Sequence, residues 1–356
     1  MAKKVTLKDI AAKAGISPAS VSMILNQRSI NRFNKETVEQ VFALAESMGY
    51  KSTKGKSFSL IKPSDTVIII ICPSLFNPFY TTIIQGIEIA ARREGYTTSV
   101  RTTYWDINTE KFIMEQAKKF NVAGVIFAMI PQQPELAYDL SKSMPVVAIG
   151  DRRNDLEIAT VDMNNFTAGQ LVGRHLLEYG HKNIAYLSSP LNEQHSSRVR
   201  RCQGIEASCS KVEGAQLKVL TKNITPEYEL SHVDVEYSTG YELALQCLEK
   251  YPQTTAMVAI NDMVAYGVYN ALVDKGLRIP EDISLCGFDN IFPSRIRGLG
   301  LTTIDNSLTD CGQSAFQLLK EELANYRNNG KFKSITHVEY KCSLIVRKTT
   351  GPAKLQ

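Results

Sequence analysis

The stretch VIIIICPSLFNPFYTTIIQGIEIAARREGYTTSVRT, residues 67–102, decides the fold. It opens on six residues that are apolar throughout, VIIIIC (67–72), runs into a helical segment, PFYTTIIQGIEIAARREG, and ends in a second strand candidate, TTSVRT (97–102). Strands without a polar face, separated by helices, belong in parallel sheets covered on both sides. The alternation continues downstream. Strand candidates stand at VAGVIFAM (122–129), PVVAIG (145–150), NIAYLSS (183–189), KVL (218–220), AMVAI (256–260) and ISLCGF (283–288). Between them lie helical stretches such as NFTAGQLVGRHLLEYG, TGYELALQCLEKY and DMVAYGVYNALVDKG. These are more strands than one such sheet usually needs, which predicts two similar α/β lobes. The late segment HVEYKCSLIVRKTT reads as one further strand.

Upstream the pattern differs. The first 50 residues read as three short helices. Thr6 can cap a helix over TLKDIAAKAG, which stops at Gly15. Ser17 caps SPASVSMILN, with Pro18 at the first helical position, where its missing N–H costs nothing. The third, KETVEQVFALAESMGY, gathers Val38, Val41, Leu44, Ala45 and Met48 on one face and stops at Gly49. Residues 51–65, KSTKGKSFSLIKPSD, are basic, Ser-rich and weakly patterned, as in a linker.

Charge separates the two parts. Of the 356 residues, the first 62 hold eleven Lys/Arg against four Asp/Glu, while the other 294 hold thirty against thirty-two. A net +7 head on a body of −2 predicts an anionic partner for the head alone, nucleic acid before a membrane surface. At 44% hydrophobic and 22% charged, the composition excludes a disordered, collagen-like or coiled-coil protein. No run of about 18 apolar residues suggests a membrane span, and MAKKVTLKDI lacks the apolar stretch of a secretory signal. The seven cysteines are odd in number and form no CxxC pair, as expected of buried thiols in a reducing cytoplasm.

Enzyme signatures fail. Gly55-Lys56-Ser57 lacks the glycine that a phosphate loop needs at position 50, which is Tyr50. HExxH, GxSxG and GxGxxG are absent, and the five histidines have no metal-ligand spacing, so neither metal nor cofactor is expected. His181, at a helix end, suits a structural role. The turn AAKAGIS between the first two helices, by contrast, fits a helix-turn-helix, whose second helix enters the major groove. Ser17, Ser20, Ser22, Asn26 and Gln27 offer hydroxyls and amides for phosphate contacts; the alternative is an ordinary basic helical domain. In the body, Ser74 with Asn77-Pro78-Phe79, then Asp151, Asn261-Asp262 and Phe288-Asp289 each follow a strand candidate. Each alone reads as a helix cap or turn. Together, at strand ends, they predict one polar, aromatic-lined cleft for a hydroxyl-rich or charged small molecule.

From Val5 to about Thr349 the chain resembles the lactose-repressor-type (LacI/GalR) transcriptional regulators. The resemblance rests on VTLKDIAAKAGISPASVSMILN, NPFYTTIIQGIEIAARREGY, HLLEYGHKNIAYLS, NDMVAYGVYNALVDKGLRIPEDISLCGFDN, LTTIDNSLTDCGQSA and LIVRKTT, in the family's order. It implies a helix-turn-helix head (1–50), a hinge (51–65), a core of two periplasmic-binding-protein-like lobes (66–349) holding an effector between them, and a tail (350–356). The family's base-reading positions fall on Pro18, Ala19 and Met23, and its phosphate-contacting hydroxyls on Thr6, Ser20 and Ser22. Pro, Ala and Met make no bidentate hydrogen bonds, so direct readout would rest on apolar contacts such as thymine methyls. The family's effector positions fall on Ser74, Phe79, Arg201, Asn261 and Asp289, with His195 where some relatives carry a second cation.

Three departures stand out. Gly150 occupies the place of a frequent acid, with Asp151 one residue later, and Val235 replaces an aromatic stacking residue, with Tyr237 two residues on. The hinge, KSTKGKSFSLI, carries Ser59 at the leucine that wedges into a base step in the family; Leu60, one residue late, is the favoured wedge over Phe58. The expectation is a cytoplasmic repressor, a homodimer on a near-palindromic operator, switched by a sugar or sugar phosphate, with a nucleobase or a protein co-regulator as alternatives. A periplasmic solute-binding protein and an α/β enzyme are the competing classes. The missing signal argues against the first, and the missing nucleophile or cofactor loop against the second.

Overall fold

The computed structural model describes residues 5–25, 33–48, 50, 66–120, 122–151, 156–191, 196–329 and 335–354. The chain forms two compact units, Met1–Asp65 and Thr66–Gln356. In the first, α1 (Leu7–Ala14), α2 (Pro18–Leu25) and α3 (Lys35–Ser47) close around Ile10, Val21, Ile24, Val41 and Phe42. Thr6 begins α1 by donating its backbone N–H and its hydroxyl to the Asp9 carboxylate, both at 2.7 Å. Gly15 ends it at φ 68°, a left-handed conformation that glycine adopts at little cost, and so makes the tight turn into α2. Ser17 caps α2 by accepting from the Ser20 N–H at 3.0 Å.

The second unit holds two six-stranded sheets. One carries β1 (Val67–Cys72), β2 (Thr97–Thr102), β3 (Gly124–Phe127), β4 (Val146–Gly150), β5 (Ala159–Met163) and β11 (His337–Tyr340), in the order β11-β5-β4-β3-β1-β2. The other carries β6 (Asn183–Ser188), β7 (Gln216–Thr221), β8 (Ala256–Ala259), β9 (Ser284–Phe288), β10 (Thr302–Asp305) and β12 (Ser343–Ile345), in the order β12-β10-β9-β8-β6-β7. All described pairings are parallel except β10 with β12. The chain passes between lobes three times: from β5 into α7 (Asn165–Glu178), from β10 into α12 (Leu308–Asn329), and between β11 and β12. Helix α12 returns to the first lobe, where Cys311, Ala315, Phe316 and Leu319 join its core.

Two strands, β5 (ATVDM) and β10 (TTID), were not among the candidates. Their threonines are buried and two of them pair at once: Thr160 Oγ1 meets His337 Nδ1 at 2.7 Å, and Thr303 Oγ1 donates to Asp262 at 2.6 Å. A search for apolar runs passes over such strands. The single late strand expected over HVEYKCSLIVRKTT is two, in different sheets. The segment 350–354, set apart as tail, is packed on the second lobe: Thr350 Oγ1 lies 2.9 Å from His175 Nε2, and Ala353 N–H donates to Tyr179 O at 2.8 Å. His181 is buried between Thr255, Ser284 and the Gly351 carbonyl, each about 3.0 Å away, a structural position. Six cysteines are buried and Cys342 is half-buried, all as free thiols.

Candidate functional site

Residues just beyond the carboxyl ends of β1, β4 and β6 line two cavities that share Tyr80, Trp105 and Arg198. Phe79, Met129, Ile149, Asp151, Asn165 and Arg201 also line the first; Ser74, Asn77, Asn223, Glu229, Val235 and Glu236 also line the second. Residues from both lobes contribute, so the cavities lie in the cleft between them. Trp105, the chain's one tryptophan, and Tyr104 sit at φ 59° and 50°, a strained left-handed pair that places the indole there. The Arg198 guanidinium lies 5.5 Å from the indole centroid and makes no ion pair among the described residues.

Glu236 crosses the cleft. Asn77 begins α4 (Pro78–Arg93), and its Oδ1 accepts from the Phe79 N–H at 2.9 Å. Asn261 begins α11 (Asp262–Asp274), and its Oδ1 accepts from the Val264 N–H at 2.9 Å. Capping leaves each Nδ2 as a donor. Both donate to Glu236: Asn77 at 2.8 Å from the first lobe, Asn261 at 2.6 Å from the second. Each asparagine thus caps its helix and reaches Glu236 at the same time. Burial raises the Glu236 pKa, against the asparagine hydrogen bonds and Arg198. Burial and the charge of Glu236 push neighbouring Glu229 to about 7.

Arg201 anchors the other end. Helices α7 and α8 (Ser196–Cys209) cross at Gly169 and Gly204, where an added Cβ would run into the facing backbone, so Arg201 lies against the start of α7. Its Nε donates to Asn165 Oδ1 at 2.7 Å and its two terminal nitrogens to Ile260 O at 2.6 Å and Asp289 Oδ1 at 3.2 Å. Asn165 in turn donates to Asp151 from its backbone N–H at 3.2 Å and from Nδ2 at 2.9 Å. A continuous chain thus runs from Asp151 of the first lobe through Asn165 to Arg201 and Asp289 of the second. Burial raises the carboxyls of Asp151 and, well above the ordinary range, Asp289; Arg201 pulls both back. Arg201 therefore serves a buried network as well as the cavity wall, whereas Arg198, one helical turn earlier, lines both cavities beside Trp105.

A model of bacterial regulatory proteins of the LacI family matches residues 6–52, and a model of periplasmic binding proteins and the sugar-binding domain of the LacI family matches residues 65–344. The chain belongs to the LacI family. It is similar to the HTH-type transcriptional repressor PurR of Haemophilus influenzae, 29% identical across 97% of this chain and 98% of the relative. Among solved structures, a LacI-family regulator from Enterococcus faecium with bound ribose covers 81% of this chain and 100% of its own, at 24% identity and a TM-score of 0.67. The lac repressor dimer bound to operator and the anti-inducer ONPF covers 98% of this chain and 100% of its own, at 24% identity and a TM-score of 0.68. The protein is a DNA-binding transcriptional repressor of this family with an effector-binding core.

In the DNA-binding head, Pro18 and Ala19 are exposed at the start of α2, and Ser20, Ser22 and Met23 are half-buried along it. The Thr6 and Ser17 hydroxyls serve as caps, and the Ser17 and Ser20 oxygens lie 2.9 Å apart. Asn26, Gln27, Leu60 and His195 lie outside the described residues. In the core, Ser74 is buried and accepts from the Phe76 N–H at 3.1 Å. Asn261 and Asp289 are absent from the walls of both cavities and are hydrogen-bonded to Glu236 and Arg201. Glu229, Glu236, Asn165, Arg198 and Trp105 were missed from sequence. Trp105 had a signal, as the one tryptophan; Arg198 shares a helix face with Arg201, three residues on.

Proposed function

We propose that this LacI-family repressor acts in the cytoplasm as a homodimer on a near-palindromic operator and is switched by a sugar or sugar phosphate that binds between Trp105, Tyr80 and Arg198. The observation that carries the reading is the pairing of aromatic faces with charged and amide groups in one interlobe cleft. Aromatic rings cover the apolar face of a sugar ring, and fixed polar groups take its hydroxyls. That a relative of the same fold is solved with bound ribose supports it. Base reading would rest on apolar contacts from Pro18, Ala19 and Met23. An effector that bridges the lobes changes their relative orientation, and with it the spacing of the paired heads.

A thermal-shift screen of sugars and sugar phosphates against the full chain, followed by mobility shift on duplex DNA with and without each hit, tests the reading. A hit should raise the melting temperature and change operator affinity. A chain lacking residues 1–61 should keep the thermal shift and lose DNA binding. DNA binding by that truncated chain, or hits that never alter operator affinity, would refute it.

A further inference from the structure

The Glu236 carboxylate sits where three helix N-termini converge. Asn77 caps α4 and Asn261 caps α11, and Glu236 itself lies in the first turn of α10 (Val235–Lys250). Each N-terminus carries partial positive charge and N–H donors, which makes it a place for an anion. The amide donors of both caps point at the carboxylate, at 2.8 and 2.6 Å, and Arg198 adds a full positive charge nearby. Neither amide can turn its oxygen inward, because each Oδ1 is held by a helix N–H. The site therefore demands an acceptor, and the chain supplies its own. Helix α10 is held in register by its crossing with α11, where Gly240 and Gly267 each face the other helix's backbone too closely for a Cβ.

We propose that Glu236 is a built-in counter-anion of the effector cleft: it fills an anion site made by three helix N-termini, ties the two lobes together through Asn77 and Asn261, and reserves that end of the cleft for effectors without negative charge. This rests on the effector reading above and narrows it from sugars and sugar phosphates to a ligand that is uncharged where it meets Glu236. Glu229, which lines the same cavity, strengthens the selection as it ionises above about pH 7, since a phosphate beside two carboxylates is repelled by both.

Trp105 lines both cavities and, as the chain's one tryptophan, reports on the cleft directly. Glu236→Ala should open the cleft, raising acrylamide quenching of Trp105 about twofold with a red-shifted emission, and should let inorganic phosphate at about 10 mM restore protection by entering the vacated site. Wild type should show neither the exposure nor a response to phosphate. Asn77→Ala breaks the bridge from the other lobe while keeping the carboxylate. It should raise quenching without gaining a phosphate response, and it serves if Glu236→Ala does not fold, as judged by far-UV circular dichroism. Unchanged quenching in the folded variants, or a phosphate response in wild type equal to that of Glu236→Ala, overturns the proposal. The probe is inorganic phosphate and not a sugar, so a failure of this kind is distinct from a failure of the sugar screen to find an effector.

Discussion

Arg201→Ala tests the buried network that joins the lobes. Arg201 is 6% exposed, and its three donors reach Asn165, Ile260 O and Asp289. Removing it leaves Asp289, 3% exposed, as a buried carboxylate without its cation, and leaves Ile260 O and Asn165 Oδ1 unpaired. Breaking one partner of a buried pair costs about 3–5 kcal/mol, and the two orphaned acceptors lie within rather than on top of that figure because the network acts as one unit. The assay is urea unfolding of the full chain, followed by circular dichroism and Trp105 fluorescence. The pH dependence is a second check. The Asp289 carboxyl holds its proton in the folded state above the pH at which the unfolded chain loses it, so stability contributed by this group falls as pH rises through that window. Without Arg201 its pKa rises further. The deficit of Arg201→Ala should therefore shrink towards pH of about 4, where an unfolded aspartate is also half protonated. Arg201→Met with Asp289→Asn removes both charges of the pair and should recover part of the loss. A deficit below about 1 kcal/mol, or one that grows on acidification, would refute the reasoning.

The concentration of positive charge in residues 1–62 should make operator affinity fall at least about tenfold between roughly 50 and 200 mM salt, measured by fluorescence anisotropy; a flat salt dependence would deny phosphate contacts to the head. Leu60→Ala should weaken specific operator binding by about 1–3 kcal/mol and leave non-specific binding nearly unchanged in the same assay, with a loss confined to Phe58→Ala moving the wedge to that residue. Glu229 titrates near 7 in the folded state against 4.5 in an ordinary glutamate, so its contribution to stability should drop as pH rises from 4.5 to 7; Glu229→Gln should flatten that part of the pH profile of thermal stability. Gly204→Ala puts a Cβ against the Phe166 carbonyl at the α7–α8 crossing and should cost about 1–3 kcal/mol or more in urea unfolding, whereas a neutral result would mean the helices separate freely.

Sequence determined the parts of this protein that depend on runs and spacing. Apolar strands such as VIIIIC, the Thr6 and Ser17 caps, the Gly15 turn and the basic head each announce themselves over a few residues, because local periodicity and capping chemistry act within one element. The strand-end residues Ser74, Asn77 and Asp151 were likewise legible as cleft residues, since a parallel sheet brings its carboxyl ends to one side. Strands β5 and β10 were not legible: threonines such as Thr160 and Thr303 are buried because a partner, His337 or Asp262, arrives from far along the chain. Nor was the division of labour within the cleft. Glu236 is 159 residues from Asn77, and Arg201 is 88 from Asp289. No spacing rule links such residues. Their roles were decided by three crossings of the chain between lobes and by glycine-lined helix contacts, which set distances of a few ångströms between groups whose chemistry the sequence shows and whose meeting it does not.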